Sequence, residues 1–255
     1  MKKIVTNFSM PECFNEKSKP SMFCPGCGQS ISLRHLGFVI DDLGISKNLT
    51  FAIDIGCSLL SWNYYNFDII QTHHGRSIPT AVGYKMSREK RIVIAMMGDG
   101  GGYAIGLQSL LHAAFRNSPI TAIVVNNTEY SMTGGQMAPT SLPNEITSTS
   151  PEGKIAKLFG GAFHGPELVR NIANKNSFIA RATVSNPIML ETILKKAINN
   201  QVSGNFSFVE ILSLCPTNWK TNAKESFEFL GNMEKVYPVG EIVNSSKNKN
   251  EETDK

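Results

Sequence analysis

Apolar and polar positions change period most sharply between Arg91 and Asn127. Ile92 to Met97 is an unbroken apolar run, the pattern of a strand buried on both faces of a parallel sheet. It ends at Gly98-Asp99-Gly100-Gly101-Gly102, and the period then changes. Ala104, Leu107, Leu110, Leu111 and Ala114 recur at helical spacing and predict an amphipathic helix. Asn117-Ser118-Pro119 stops that helix, and Ile120 to Val125 is a second apolar run ending at Asn126-Asn127. Such a strand–helix–strand unit takes a right-handed crossover. Asp99 and Asn127 then both stand at carboxyl ends of strands, where open α/β sheets bind ligands.

The same pattern recurs along the chain. Leu49 to Ile55, Phe67 to Ile70, Phe178 to Val184 and Phe206 to Leu212 read as strands. Helices are predicted near Pro79, over Gly153 to Phe159, and over Pro187 to Val202 with Pro187 at its start. The fold class is therefore α/β, a mostly parallel sheet with helices on both faces. A chain of 255 residues suits one large domain. Residues 1–21 are polar and lysine-rich and read as an N-terminal arm; residues 22–243 form the α/β domain; residues 244–255 hold no apolar residue and are expected to be a disordered tail.

Composition narrows the function classes. A net charge of +4 without pattern gives no footprint for nucleic acid. No apolar run is long enough to span a membrane. Polar residues interrupt any signal-like segment after Lys2-Lys3, so a cytoplasmic protein is expected. Five cysteines in a chain of this size do not make a secreted disulfide framework.

Two stretches carry chemistry. Asp99 and Asn127 supply a carboxylate and an amide oxygen, hard donors of the kind Mg²⁺ takes when it carries a diphosphate. Gly98, Gly100 and Gly101 let a ligand approach the backbone, and the following helix offers N–H groups to phosphate. A Rossmann fingerprint lacks its last glycine here, and a P-loop lacks its Gly-Lys-Ser/Thr. The second stretch is Cys24-Pro25-Gly26-Cys27, which fits a redox pair, a zinc site or an iron–sulfur cluster. Cys57 and Cys215 follow predicted strands at the ligand-binding edge, so four thiols can converge there; Cys13 has no partner at metal-site spacing. His74 in His73-His74-Gly75-Arg76 also stands at a strand end, suited to a diphosphate or carboxylate.

The Gly-Asp-Gly and Asn-Asn pair resembles the thiamine-diphosphate binding pattern. Tyr130-Ser131-Met132-Thr133-Gly134-Gly135-Gln136-Met137-Ala138-Pro139-Thr140, the Cys-Pro-Gly-Cys turn and Ile55-Gly56-Cys57-Ser58 resemble the β subunits of 2-oxoacid:ferredoxin oxidoreductases, the branched-chain 2-oxoisovalerate subgroup most of all. The resemblance implies a thiamine-diphosphate-binding fold and a [4Fe–4S] cluster on Cys24, Cys27, Cys57 and Cys215. It implies Mg²⁺ on Asp99, Asn127 and the main-chain carbonyl of Glu129, whose side chain is expected to be solvated. Ile55 to Ser58, His74, Ser131 and Met132 would meet the cofactor, and Leu142 to Pro151 would be a mobile substrate-side loop. Arg76 would hold its loop or pair across a subunit interface.

The implied activity is oxidative decarboxylation of a 2-oxoacid to acyl-CoA and CO₂, with coenzyme A as co-substrate and electrons passing through the cluster to ferredoxin. 2-Oxoglutarate or pyruvate are alternative substrates. The activating glutamate is expected on a partner α subunit, with γ and δ elements often present. Two positions depart from the family pattern: Gly101 where many relatives carry a second aspartate, and Ser131 where they carry glycine. A non-oxidative thiamine-diphosphate lyase or a non-catalytic iron–sulfur or zinc scaffold are the competing readings; each leaves one of the two stretches unexplained.

Overall fold

The computed structural model describes residues 10–243, so the expected arm over 1–21 is seen only from Met10 and the expected tail over 244–255 lies outside the described residues. In chain order the elements begin with helix α1 (Gly28–Asp42), strands β1 (Leu49–Ile53) and β2 (Asp68–Gln71), helix α2 (Ser77–Ser87) and strand β3 (Ile92–Gly98). Helix α3 (Leu107–Phe115), strands β4 (Thr121–Asn126), β5 (Glu129–Tyr130) and β6 (Gln136–Met137), and helices α4 (Ala156–Phe159) and α5 (Gly165–Ile172) follow. The chain continues through strand β7 (Phe178–Thr183), helix α6 (Pro187–Val202), strand β8 (Ser207–Leu212), helices α7 (Pro216–Trp219) and α8 (Ala223–Val236), and strand β9 (Gly240–Val243).

One sheet runs in the order β2-β1-β3-β4-β8-β7-β9. All neighbours are parallel except β9, which is antiparallel to β7. Strands β1, β4, β7 and β8 are buried at every position, which is why their sequences are near-continuous apolar runs. Strand β3 serves two cores at once. Ile94 and Met96 join one with Leu36 of α1, Leu190 of α6 and Leu230 of α8. Val93, Ala95 and Met97 join the other with Ala81 of α2, Leu110 of α3 and Val169 of α5. Helices thus cover both faces, and the carboxyl ends of the central strands are left to form a site.

The predicted helix after β3 is not uniform: helical backbone begins at Asp99 and widens before it becomes regular. Gly101–Ile105 forms a π-helical turn ahead of α3, and Ala104 is exposed. The wider turn rotates the face, so Tyr103, Leu110, Ala113 and Ala114 are buried. The helix expected over Gly153 to Phe159 shrinks to α4, because Gly153 takes φ 92° and Lys154 turns inward.

Residues 10–21 lie on the domain. The Cys13 and Phe14 side chains are buried, and the Phe14 ring meets Tyr64 and Tyr65 edge-on. The N–H groups of Glu12 and Cys13 donate to the Asp41 carboxylate. The Cys13 thiol donates to the Gly37 carbonyl at 3.5 Å, and burial pushes its pKa well up. Inside the sheet, the buried Arg181 pairs with the buried Glu210 and bidentately with Glu167. Glu210 also accepts the Tyr103 hydroxyl at 2.6 Å and the Asn126 amide at 3.2 Å. Among the described residues no helix is long and apolar enough to cross a membrane.

Candidate active site

Strands β3 and β4 are adjacent and parallel, with Gly98 opposite Val125, so Asp99 and Asn127 emerge at the same edge of the sheet. A cleft opens there. Its walls include Ile55, Gly56, Cys57, His74, Gly98, Asp99, Gly100, Gly101, Asn127, Glu129, Ser131 and Met132, residues singled out from the sequence. Ser58 does not line it; its buried hydroxyl accepts the Gln29 amide at 2.7 Å. Arg76 is an exposed residue at the start of α2 and stands outside the walls.

The two asparagines do different work. Asn126 points into the sheet, donating to Glu210 and accepting the Thr128 N–H at 3.0 Å. That bond supports Thr128 at φ 64°, a left-handed conformation unfavourable for a β-branched residue. Asn127 instead donates its amide to Ser131 Oγ at 2.6 Å, which leaves its carbonyl oxygen available to a cation. Opposite, Asp99 is buried; it accepts the Gly100 N–H at 2.9 Å on Oδ1 and the Thr140 hydroxyl on Oδ2. Burial raises its pKa to about 7 against both hydrogen bonds.

Glu129 corrects an expectation. Its side chain is not solvated but buried, and Oε2 has no hydrogen-bond partner. Burial, then the nearby Glu145 and Asp99 carboxyls, push it up to about 8. Glu145 is raised to about 7, burial outweighing its bonds from Thr128 and Leu142. Three crowded carboxyls with raised pKa values and an orphaned oxygen mark a site short of positive charge. The Asp99 carboxylate, the Asn127 amide oxygen and the Glu129 main-chain carbonyl are the hard oxygen donors that Mg²⁺ takes, so the residues fit that ion.

The Leu142 to Pro151 segment does not line the cleft. Its hydroxyls are used internally: Thr147 and Ser150 pair at 2.7 Å, and Thr149 accepts the Met137 N–H at 3.0 Å. The main chain of Lys154 ties it further, accepting the Asn144 N–H and donating to the Glu145 carbonyl, each at 2.9 Å, while its buried ammonium donates to the carbonyls of Ser141 at 2.7 Å and Gly161 at 3.0 Å.

Glycines shape the cleft. Gly56 sits at φ 121° with open space where a Cβ would point. A Cβ on Gly100 would meet the Tyr130 ring at 2.2 Å.

The thiols of Cys24, Cys27 and Cys215 lie within electrostatic reach of Cys57, and all are unpaired. The Gly28 N–H donates to the Leu214 carbonyl at 3.0 Å and ties the Cys24–Cys27 turn to the Cys215 loop. Burial pushes Cys57 up to about 12 and Cys215 to about 11, and raises Cys27 as well. Buried thiols of this kind ionise when a metal supplies the compensating charge. Among the described residues no group of three or more His, Cys, Asp or Glu side chains is set to hold a metal ion.

Comparisons with known proteins agree with this layout. Residues 54–211 match the family described as thiamine pyrophosphate enzyme, C-terminal TPP binding domain. The 2-oxoglutarate synthase subunit KorB of Archaeoglobus fulgidus is 34% identical over 83% of this chain and 76% of its own length. The chain belongs to the thiamine-diphosphate-binding β subunits of the 2-oxoacid:ferredoxin oxidoreductases. The ketoisovalerate oxidoreductase subunit VorA of Methanothermobacter thermautotrophicus is 36% identical over 85% of this chain. The chain spans about half the length of such VorA subunits, 46% and 50% of the two it matches. A solved 2-oxoglutarate:ferredoxin oxidoreductase from Magnetococcus marinus superposes with TM-score 0.79 at 25% identity, covering 94% of this chain and 87% of that chain.

Four residues of this β-subunit site carry little sequence signal or were passed over. Asp54 ends an apolar strand run as Asp99 does, which is the signal that finds it. Thr140 and Gln29 reach the site only through tertiary contacts. Tyr130 walls the cleft against Gly100.

Proposed function

We propose that the chain is the cofactor-binding subunit of a complex that oxidatively decarboxylates a 2-oxoacid, of 2-oxoisovalerate type, to acyl-CoA and CO₂, and passes the electrons to ferredoxin. The single observation that carries this reading is the shared wall between two donor sets. Cys57 lines the cleft that holds Asp99 and Asn127 and lies within reach of three further thiols. A non-oxidative lyase has no use for the thiols, and a metal scaffold has none for the cleft.

Asp99, Asn127 and the Glu129 carbonyl would hold Mg²⁺, and the glycine edge over Gly98 to Gly101 would receive the diphosphate. Ile55, Val125 and Met132 give the cleft an apolar side that keeps water from the reacting atoms. Bound thiamine diphosphate supplies the decarboxylation chemistry, and a [4Fe–4S] cluster on Cys24, Cys27, Cys57 and Cys215 the one-electron exit. The electrostatic coupling of Cys57 to Cys24, Cys27 and Cys215 supports that assignment. A partner α subunit carrying the activating glutamate, with γ and δ elements, completes the enzyme in the cytoplasm. The chain's likeness to subunits of a ketoisovalerate oxidoreductase and a 2-oxoglutarate synthase supports 2-oxoisovalerate and 2-oxoglutarate as the substrate class.

Iron, acid-labile sulfide and zinc analysis of anaerobically purified protein tests the reading. About four irons and four sulfides per chain are expected. One zinc without sulfide would overturn the ferredoxin-linked function. Turnover of the complex on 2-oxoisovalerate, 2-oxoglutarate and pyruvate then ranks the substrates.

A further inference from the structure

The cleft is poor in positive charge. Its ionisable wall residues are Cys57, His74, Asp99, Glu129 and Tyr130, so His74 alone among them can be a cation. His73 and Arg76, on the same loop, do not line it. Beside a bound cation and the backbone N–H groups of the glycine edge, His74 is therefore the wall side chain that can meet an anionic ligand such as a diphosphate with a positive charge.

Its charge is set from behind the ring. His74 Nδ1 lies 3.0 Å from the Ile55 carbonyl oxygen, an atom that only accepts, so Nδ1 carries a proton. The Asp54 Oδ2 atom is 3.2 Å from the same nitrogen. This carboxylate is fully buried at the end of β1, and its Oδ1 accepts the Gly75 N–H at 2.7 Å. Oδ2 has no hydrogen bond of its own, so its compensation is the charge of the neighbouring ring. Burial raises Asp54 to about 6, while His74 acts in the opposite direction. Gly101 completes the arrangement: a Cβ there would stand 2.0 Å from Asp54 Oδ2. The carboxylate fills the space that any side chain at 101 would need.

We propose that Asp54 is a positioning residue that holds His74 as an imidazolium, its Nδ1 proton turned inward and its Nε2–H left to donate to the diphosphate of the cofactor. This rests on the reading of the cleft as a thiamine-diphosphate site. Asp54 touches no ligand itself; it acts through the ring.

The test uses purified protein labelled with ¹⁵N-histidine, the His74→Asn variant assigning the ring, together with Asp54→Asn, which keeps an acceptor for Gly75. In the wild type at neutral pH both His74 nitrogens should be protonated; in Asp54→Asn the ring should be neutral. Affinity for magnesium pyrophosphate should fall about tenfold in each variant and no further in the double variant, because one charge-assisted hydrogen bond is removed. Unphosphorylated thiamine should bind all forms alike. A neutral His74 ring in the wild type would overturn the proposal, whatever the variants do. If His74→Asn weakens pyrophosphate binding while Asp54→Asn changes neither ring nor affinity, Asp54 has no such role although the site reading stands. Pyrophosphate binding indifferent to His74→Asn would remove the ring from the ligand, and the proposal with it.

Discussion

Asn127 donates its side-chain amide to Ser131 Oγ at 2.6 Å, and this bond decides which end of the amide faces the cleft. Ser131 is in turn held by Asn218, whose amide donates to its carbonyl at 2.9 Å. The serine is thus an orienting group of the pocket. Ser131→Ala should weaken Mg²⁺ binding in the presence of thiamine diphosphate by about three- to tenfold, the worth of one hydrogen bond of about 1 kcal/mol. Calorimetric titration with Mg²⁺ checks it, and unchanged affinity would remove Ser131 from that role.

Thr140 stabilises Asp99 from the side away from the cleft. Thr140→Val keeps the shape but removes the donor, so a buried carboxylate loses about 1–3 kcal/mol of support. Asp99 should then bind its proton more tightly, and the pH at which Mg²⁺ affinity reaches its plateau should move upward. An unmoved plateau, with an unchanged Tm, would show that the bond carries nothing.

Asp99, Glu129 and Glu145 all have carboxyl pKa values raised towards 7 to 8, with burial as the first cause. Such groups bind protons more tightly folded than unfolded, so stability is greatest where they are protonated and falls as pH rises from the unfolded values near about 4 through the folded ones. The metal-free protein should therefore show a Tm that declines between about pH 5 and pH 8. Mg²⁺ with thiamine diphosphate should flatten that decline by supplying the missing positive charge. A Tm that rises across this range without metal would contradict the electrostatics of the cleft.

Cys57 and Cys215 differ from Cys13 in their surroundings, since Cys13 is within reach of Asp41 and they are within reach of one another's group. Replacing either Cys57 or Cys215 by alanine should abolish the visible absorbance of an iron–sulfur cluster, whereas Cys13→Ala should leave it intact. Absorption spectra of anaerobic preparations distinguish the three.

Arg181 neutralises Glu210 in the middle of the sheet, and Glu210 in turn anchors Asn126 and hence the turn at Thr128. Arg181→Met leaves a buried carboxylate uncompensated and should cost about 3–5 kcal/mol. Urea unfolding measures the loss. A value below about 1 kcal/mol would mean that Glu210 simply takes up a proton.

Much of the architecture was readable because buried parallel strands leave continuous apolar runs, as Ile92 to Met97 and Phe206 to Leu212 do. Asp99 and Asn127 were readable because polar residues that end such runs fall at the carboxyl edge. The burial of Glu129 is not legible in the sequence for a reason in the fold: it comes from β6 and the 138–145 segment folding over it. Periodicity along its own two-residue strand contains no trace of that. The π-helical turn after Asp99 is likewise hidden, since the apolar spacing from Ala104 onward reads as one regular helix. Thr140 finds Asp99 across 41 positions, a distance no local pattern spans.

The stretch from Asp54 to Cys57 is fastened at both ends. Asp54 is held by the Gly75 N–H, and Cys57 belongs both to the cleft wall and to the thiol group, with Gly56 turning the chain between them at φ 121°. Its length is consequently not adjustable. One residue more or fewer would displace the carboxylate or the thiol, so this loop, unlike the open glycine turn at Gly160 and Gly161, should accept neither insertion nor deletion.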